Sequence, residues 1–361
     1  MNTRWIGGIY LLWLSLSSGF AQNNGFAAQL GAPASVLPGS AHRQITLDVV
    51  VTDKSGTPVA GLQQQDFTLL DNKQPQKIAS FYAAGSGTAT ADPPLEAILV
   101  VDAANTSFTS VEFARKEIVK FLGRNGGQLA SPVSVIVLSG TGGTLQDNPS
   151  RDGNALIAYL DEQEASLRTS RRSQGFYGAR DRMEFSVNAL LRFAGYEAER
   201  PGRKLVIWVS PGWPLFNGPG VQISEKAQQW FFNNIVAFSN GLRRARITLY
   251  GVDPLGLQDA VGLRTSAYKG FLKGVKTAKQ AQPGDVALQV LANQSGGLVL
   301  NASNDIAGEI AKCIADASAY YVLTFDALPG DGPNEYHALE VKLDKGGLAA
   351  RTRSGYYAQP R

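Results

Sequence analysis

Short apolar runs alternate with amphipathic stretches through the middle of the chain. Residues 97–101 (Ala-Ile-Leu-Val-Val), 132–138, 204–209, 246–250 and 298–300 are nearly continuous in Val, Ile and Leu. Runs of this kind read as strands of a parallel sheet buried on both faces. A short further strand is expected at 144–146. Between these runs the apolar period lengthens to that of a helix. In 110–122, Val111, Ala114, Ile118 and Phe121 fall on one stripe. Further helices are predicted over 154–159, 183–196, 225–243, 285–294 and from Asn304 or Asp305, as cap, to 317. Gly296-Gly297 resembles a helix C-cap. Repeated strand–helix alternation predicts an α/β fold built on a doubly wound, mostly parallel sheet.

The flanks follow a different period. From Gln44, ITLDVVVTDKSGTPVAGL alternates β-branched and polar residues up to a turn at 53–56, and strands follow at 67–72 and 76–82. These are too few to close a sandwich. Matching strands stand at the far end, over 320–325, 336–343 and 349–357, with a Pro/Gly/Asp turn at 329–333. The expectation is one β-sandwich assembled from 44–92 and 319–358, with the doubly wound domain (93–318) inserted into it. Insertion is tolerated because the ends of a domain lie close together.

The remaining segments bear on location. Arg4, the apolar stretch 6–16 (IGGIYLLWLSL) and Gly19-Phe20-Ala21 before Gln22 have the form of a secretory signal over 1–21. Residues 22–43 are rich in Gly, Pro, Ala and Ser and read as a flexible linker. No other stretch has the length of a bilayer span. The expected product is exported, periplasmic or secreted, with no transmembrane segment after signal cleavage. The single cysteine, Cys313, forms no intramolecular disulfide and falls on the apolar side of a helical pattern. With 34 Lys+Arg against 30 Asp+Glu the charge balance gives no footprint for nucleic acid.

Catalytic constellations are thin. The two histidines, His42 and His337, lie in the linker and in a sandwich strand, so neither a Ser-His-Asp arrangement nor a His-ligated zinc site has material to build on. The glycines at 140–143 and 270–274 lack the spacing of a phosphate loop. The chain is read as not an enzyme.

One strand end carries more information. The run 97–101 stops at Asp102-Ala103-Ala104-Asn105-Thr106, at the carboxyl edge where open α/β sheets place their crevice. This turn, VTDKSGTPVAGLQQQDFTLLDN, PGRKLVIWVSPGWP at 201–214, YYVLTF, EYHALEVKL and ARTRSGYY together resemble the bacterial exported VWFA-related domain family, over 44–358. The resemblance implies a von Willebrand factor type A domain set within a β-sandwich. It also implies a binding or adhesion module with a metal-dependent site of pattern Asp-x-Ser-x-Ser, completed by a threonine and a later aspartate. Here the first serine position is Ala104 and the second is Thr106, while Ser210 stands where the later aspartate is expected. Arg180-Asp181-Arg182, read as loop, offers no threonine, and Ser186 is the nearest hydroxyl. The metal candidates are Asp102, Thr106 and Ser210, for Mg²⁺ or another divalent cation. The competing reading needs no cofactor: Asp102 is a buried strand-end carboxylate accepting N–H bonds from its own turn.

Two long loops frame the same edge. Residues 168–182 carry five arginines around Phe176 and Tyr177, and 255–283 carry Arg264 and four lysines. A basic rim with aromatics binds acidic proteins or anionic surfaces, or is merely solvated. Asn105, Arg171, Arg172, Phe176, Tyr177, Trp213 and Phe216 are the candidate ligand contacts. Trp213 and Phe216 have two roles open to them, a packed cover on the sheet or a contact anchor. The leading reading is a non-enzymatic interaction or adhesion module holding a protein or cell-surface ligand at a degenerate site. Behind it stand a structural scaffold subunit of an envelope complex and, a distant third, a hydrolase at Asp102 and Ser210.

Overall fold

The computed structural model describes residues 44–85, 94–140, 142–146, 148–164, 175–214, 223–256 and 267–360. The signal and linker expectations, over 1–43, lie outside the described residues. In chain order come β1 (Gln44–Thr52), β2 (Phe67–Asp71), β3 (Gln74–Gln76), β4 (Ser80–Ala84), β5 (Leu95–Asp102), α1 (Phe108–Leu122), β6 (Gln128–Ser139), β7 (Gly142–Leu145), β8 (Ser150–Asp152) and α2 (Gly153–Glu162). Then follow α3 (Gly175–Ala198), β9 (Arg203–Val209), α4 (Glu225–Arg244), β10 (Ile247–Val252), α5 (Leu288–Gln294), β11 (Val299–Leu300) and α6 (Ile306–Ala315). β12 (Tyr320–Asp326), β13 (Glu335–Leu343), β14 (Ala349–Arg351) and β15 (Gly355–Ala358) close the chain.

The fold is mixed α/β, a mostly parallel sheet flanked by two antiparallel ones. The large sheet runs β11-β10-β9-β5-β6-β7, parallel except for the β6–β7 pair, and β8 also joins β6 antiparallel. Alternation along β5 feeds two cores. Ile98 and Val100 face one with α3, α4 and α5, while Ala97, Leu99 and Val101 face another with α1, α2 and α6. Strand order reverses between β5 and β9, so the ends of these two strands flank the crevice.

The antiparallel sheets, β14-β1-β12-β4 and β15-β13-β2-β3, each take strands from both ends of the described chain. They share a core in which Leu47, Val49, Phe67, Leu69, Tyr321, Leu323 and Phe325 are buried. This connectivity is compatible with a domain inserted between β4 and β12.

Several elements differ from expectation. The strand predicted over 76–82 is two, β3 and β4, and the one predicted over 349–357 breaks into β14 and β15, which join different sheets. The helix predicted over 285–294 is split: a 3-10 turn (Pro283–Val286) precedes α5, and Ala287 between them is extended. Asp285 turns back to accept from the Gln282 N–H at 2.8 Å, which closes the turn. The helix predicted over 183–196 begins at Gly175, so residues 180–182 are helical and not a loop, with Arg180 and Glu184 paired one turn apart.

Candidate binding site at the carboxyl end of the parallel sheet

β5 delivers Asp102 and β9 delivers Ser210 to the crevice, side by side at the switch point. The turn after β5 is closed by Asp102 itself, whose Oδ1 accepts the backbone N–H of Asn105 at 3.0 Å. The Asn105 side-chain amide then donates to both carboxylate oxygens, at 3.2 and 2.9 Å, and to Ser186 Oγ of α3 at 2.8 Å. From β9 the indole of Trp208 donates to Oδ2 at 3.0 Å. Ser186 in turn donates to the Arg182 carbonyl, and Ser210 Oγ accepts from the Gly212 N–H.

Asp102, Thr106, Ser186 and Ser210 are all buried. Burial raises the Asp102 carboxyl above its ordinary value, while the bonds from Trp208 and Asn105 pull it back. Two buried oxygens in the cluster, Asn105 Oδ1 and Thr106 Oγ1, have no partner among the described residues.

A cation of the magnesium type takes about six oxygens in near-octahedral array, one or two of them carboxylate. The residues present do not fit it. One carboxylate is available in the cluster, and both of its oxygens already accept N–H groups. Among the described residues no group of three or more His, Cys, Asp or Glu could hold a metal ion. The arrangement can anchor the turn before α1 and hold α3 and β9 against it.

Of the two roles open to Trp213, the packed one is seen. It is 4 % exposed, lies edge-on to Trp208 with ring centres 5.9 Å apart, and neighbours Phe238. Gly212, at φ +97°, lets the chain fold it back over the sheet. Arg171, Arg172 and Phe216 lie outside the described residues, as do the side chains of Phe176 and Tyr177, whose backbone opens α3.

Two residues that matter here were not singled out from sequence. Trp208 sits inside a buried apolar run, and nothing local marks its bond to a residue 106 positions away. Phe108, the first residue of α1, is 52 % exposed directly after the Asp102 turn. Its signal was an aromatic at a position where the helix cap, Ser107, already ends the loop.

No family model matches the chain, and a search of the curated proteins finds no match. Among solved structures it is similar to the pilus adhesin SpaC of Lactobacillus rhamnosus GG in two crystal structures, one an open conformation. Identities are 8 and 9 % and the TM-score is 0.36 in both. The alignments cover 83 % of this chain and 43 or 49 % of the adhesin, so the chain spans less than half of that protein. No helix among the described residues is long and apolar enough to cross a membrane.

Proposed function

We propose that the chain is an exported, non-catalytic protein-interaction module that meets its ligand at the carboxyl end of the parallel sheet. In this reading a type A-like domain (93–318) is inserted between two parts of a β-sandwich (44–92 and 319–358). The observation that carries it is the closed hydrogen-bond set of Asp102. A carboxylate fully engaged by Asn105 and Trp208 acts as a strut, not as a metal ligand or general base. What this leaves for contact is the outer rim, where Phe108 is exposed beside the turn that Asp102 holds rigid. A preformed turn presenting an aromatic limits the ordering cost of binding. The ligand class is a protein or cell-surface component, and no cofactor is needed.

A photo-crosslinking residue placed at Phe108, and separately at Lys342 on the exposed face of β13, tests this on intact producing cells. A discrete adduct from position 108 and none from 342 is the expected result. An adduct from 342 alone would overturn the crevice reading in favour of a scaffold that binds through the sandwich.

A further inference from the structure

At the opposite end of the parallel sheet, where β10 begins, a small polar cleft of about 10 Å³ lies between the sheet and the sandwich. Five segments build it: β1 with Asp48, the end of α4 with Arg243, the start of β10 with Arg246 and Thr248, the end of α5 with Ser295, and the residues after β14 with Arg353. Three guanidinium groups therefore line one cleft, and Asp48 is the only carboxylate among the lining residues. That carboxylate is engaged by Arg246 through a two-point ion pair. Two positive charges remain. Arg353 is 8 % exposed and makes one contact, at 3.3 Å, to the Ser239 carbonyl of α4. Arg243 has a buried Nε without a partner among the described residues.

Guanidinium groups that are largely buried without a carboxylate of their own are costly unless something negative joins them. Burial, and next the charge of Arg243, bring Arg353 down to about 9; burial, and next Arg244, lower Arg243. The cleft has room for about one water-sized group. One oxygen of a small oxyanion fits there, with the other atoms standing in the open mouth. The geometry points to a binding site for a small tetrahedral oxyanion, orthophosphate or sulfate or the terminal phosphate of a larger molecule, held between Arg243 and Arg353. Planar N–H forks match the oxygens of such a group. This site is independent of the crevice and of the ligand proposed there.

The experiment is calorimetric titration of the full chain at constant ionic strength. Sodium orthophosphate, sodium sulfate, phenyl phosphate and sodium chloride serve as probes. Saturable binding of orthophosphate or sulfate at one site per chain is expected, weakened at least tenfold in Arg243→Gln and unchanged in Lys342→Gln. Arg243 makes no side-chain hydrogen bond among the described residues that Gln would break, and circular dichroism checks that this variant keeps the fold. Arg353→Gln is the second variant, checked for folding by circular dichroism. Binding of phenyl phosphate as well as orthophosphate identifies a terminal phosphate as the group read, and orthophosphate alone identifies the free ion. Heat with chloride equal to that with the oxyanions, no saturable heat, or binding indifferent to Arg243→Gln would each overturn the site.

Discussion

The two ends of the parallel sheet handle buried charge in opposite ways. At the carboxyl end lie buried acids: Asp102 in its turn, and Glu309 in the first turn of α6 near Asp253. At the amino end lie cations, three of which rest on carbonyls at or just beyond helix ends and a fourth, Arg353, on a carbonyl inside α4. Arg203 donates to the Asp316 carbonyl, Lys204 to those of Glu197 and Ala245, Arg351 to Gly296 and Arg353 to Ser239. The cause is the fold. A parallel sheet with crossover helices sends helix N-termini to one end and C-termini to the other, and side-chain charge follows the macrodipole. The difference lies in closure. Every carboxylate oxygen of Asp102 is engaged, whereas Arg243 retains an unused donor. The Asp102 carboxylate is saturated although Asn105 Oδ1 and Thr106 Oγ1 beside it are not, and the opposite end holds an unused arginine donor.

The largest effect expected from disturbing this arrangement is at Lys204. Its ammonium donates to the carbonyls of Glu197, Arg200 and Ala245 and so ties the ends of α3 and α4 to β9. Burial holds it below the ordinary lysine value, with the Glu197 carboxylate opposing that shift. Lys204→Met leaves three carbonyls short of a donor and unbalances the cluster of Glu96, Glu197 and Arg200. A loss of about 3–5 kcal/mol in denaturant unfolding is expected. A loss under about 1 kcal/mol would mean that water replaces the ammonium and the amino end is not closed by side chains.

Glu309 gives the next effect. Burial raises it from 4.5 to about 7, so the folded state holds its proton more tightly than the unfolded chain. Its contribution is therefore most favourable below about pH 4.5 and declines as pH rises to about 7, by about 3 kcal/mol at 1.36 kcal/mol per unit. Glu309→Gln removes that slope. Unfolding of the two proteins at pH 4.5 and pH 8 should show the variant gaining relative to wild type only at the higher pH. Equal differences at both values would place the carboxylate in contact with water or a cation.

How much of this was legible follows from range. The apolar run into Asp102 and the matched strands at both ends were readable because each is written in a few consecutive residues. Cys313 was placed in the core and Asp305 at the start of α6 from the same local periodicity. Of the donors on Asp102 the turn N–H of Asn105 is legible in this way, and the side-chain donors are not. Asn105 was seen as a turn residue, but its reach to Ser186 and the indole of Trp208 depend on three segments meeting. The arginine cleft is wholly hidden: Arg243 reads as a helix-end charge, and Arg246 and Arg353 as parts of two separate strands. Only the docking of sandwich against sheet brings them together.

A smaller effect isolates the bond across the crevice. Trp208→Phe keeps the ring in the core and removes one N–H donor from Asp102. About 1–2 kcal/mol should be lost, the cost of a buried acceptor left short of a partner. In an Asp102→Ala background the same substitution should cost markedly less, since the acceptor is already gone. Equal costs in both backgrounds would assign the loss to packing against Trp213 and not to the strut.

The smallest effect is the one that the Asp-x-Ser-x-Ser resemblance would make large. A cation bound to the native state at about 100 times its dissociation constant adds about 2.7 kcal/mol, which raises the unfolding temperature by several degrees. Here Mg²⁺, Mn²⁺ or Ca²⁺ would have to displace the Asn105 amide and the Trp208 indole from Asp102 while finding a single carboxylate. The expected difference between cation and EDTA is therefore nil, in wild type and in Asp102→Ala alike. A rise present in wild type and absent in Asp102→Ala would show that Asn105 swings away and that its unpaired Oδ1, with Thr106 Oγ1, completes a shell. In that event the two ends of the sheet would differ in the sign of the ion they hold, not in whether they are closed.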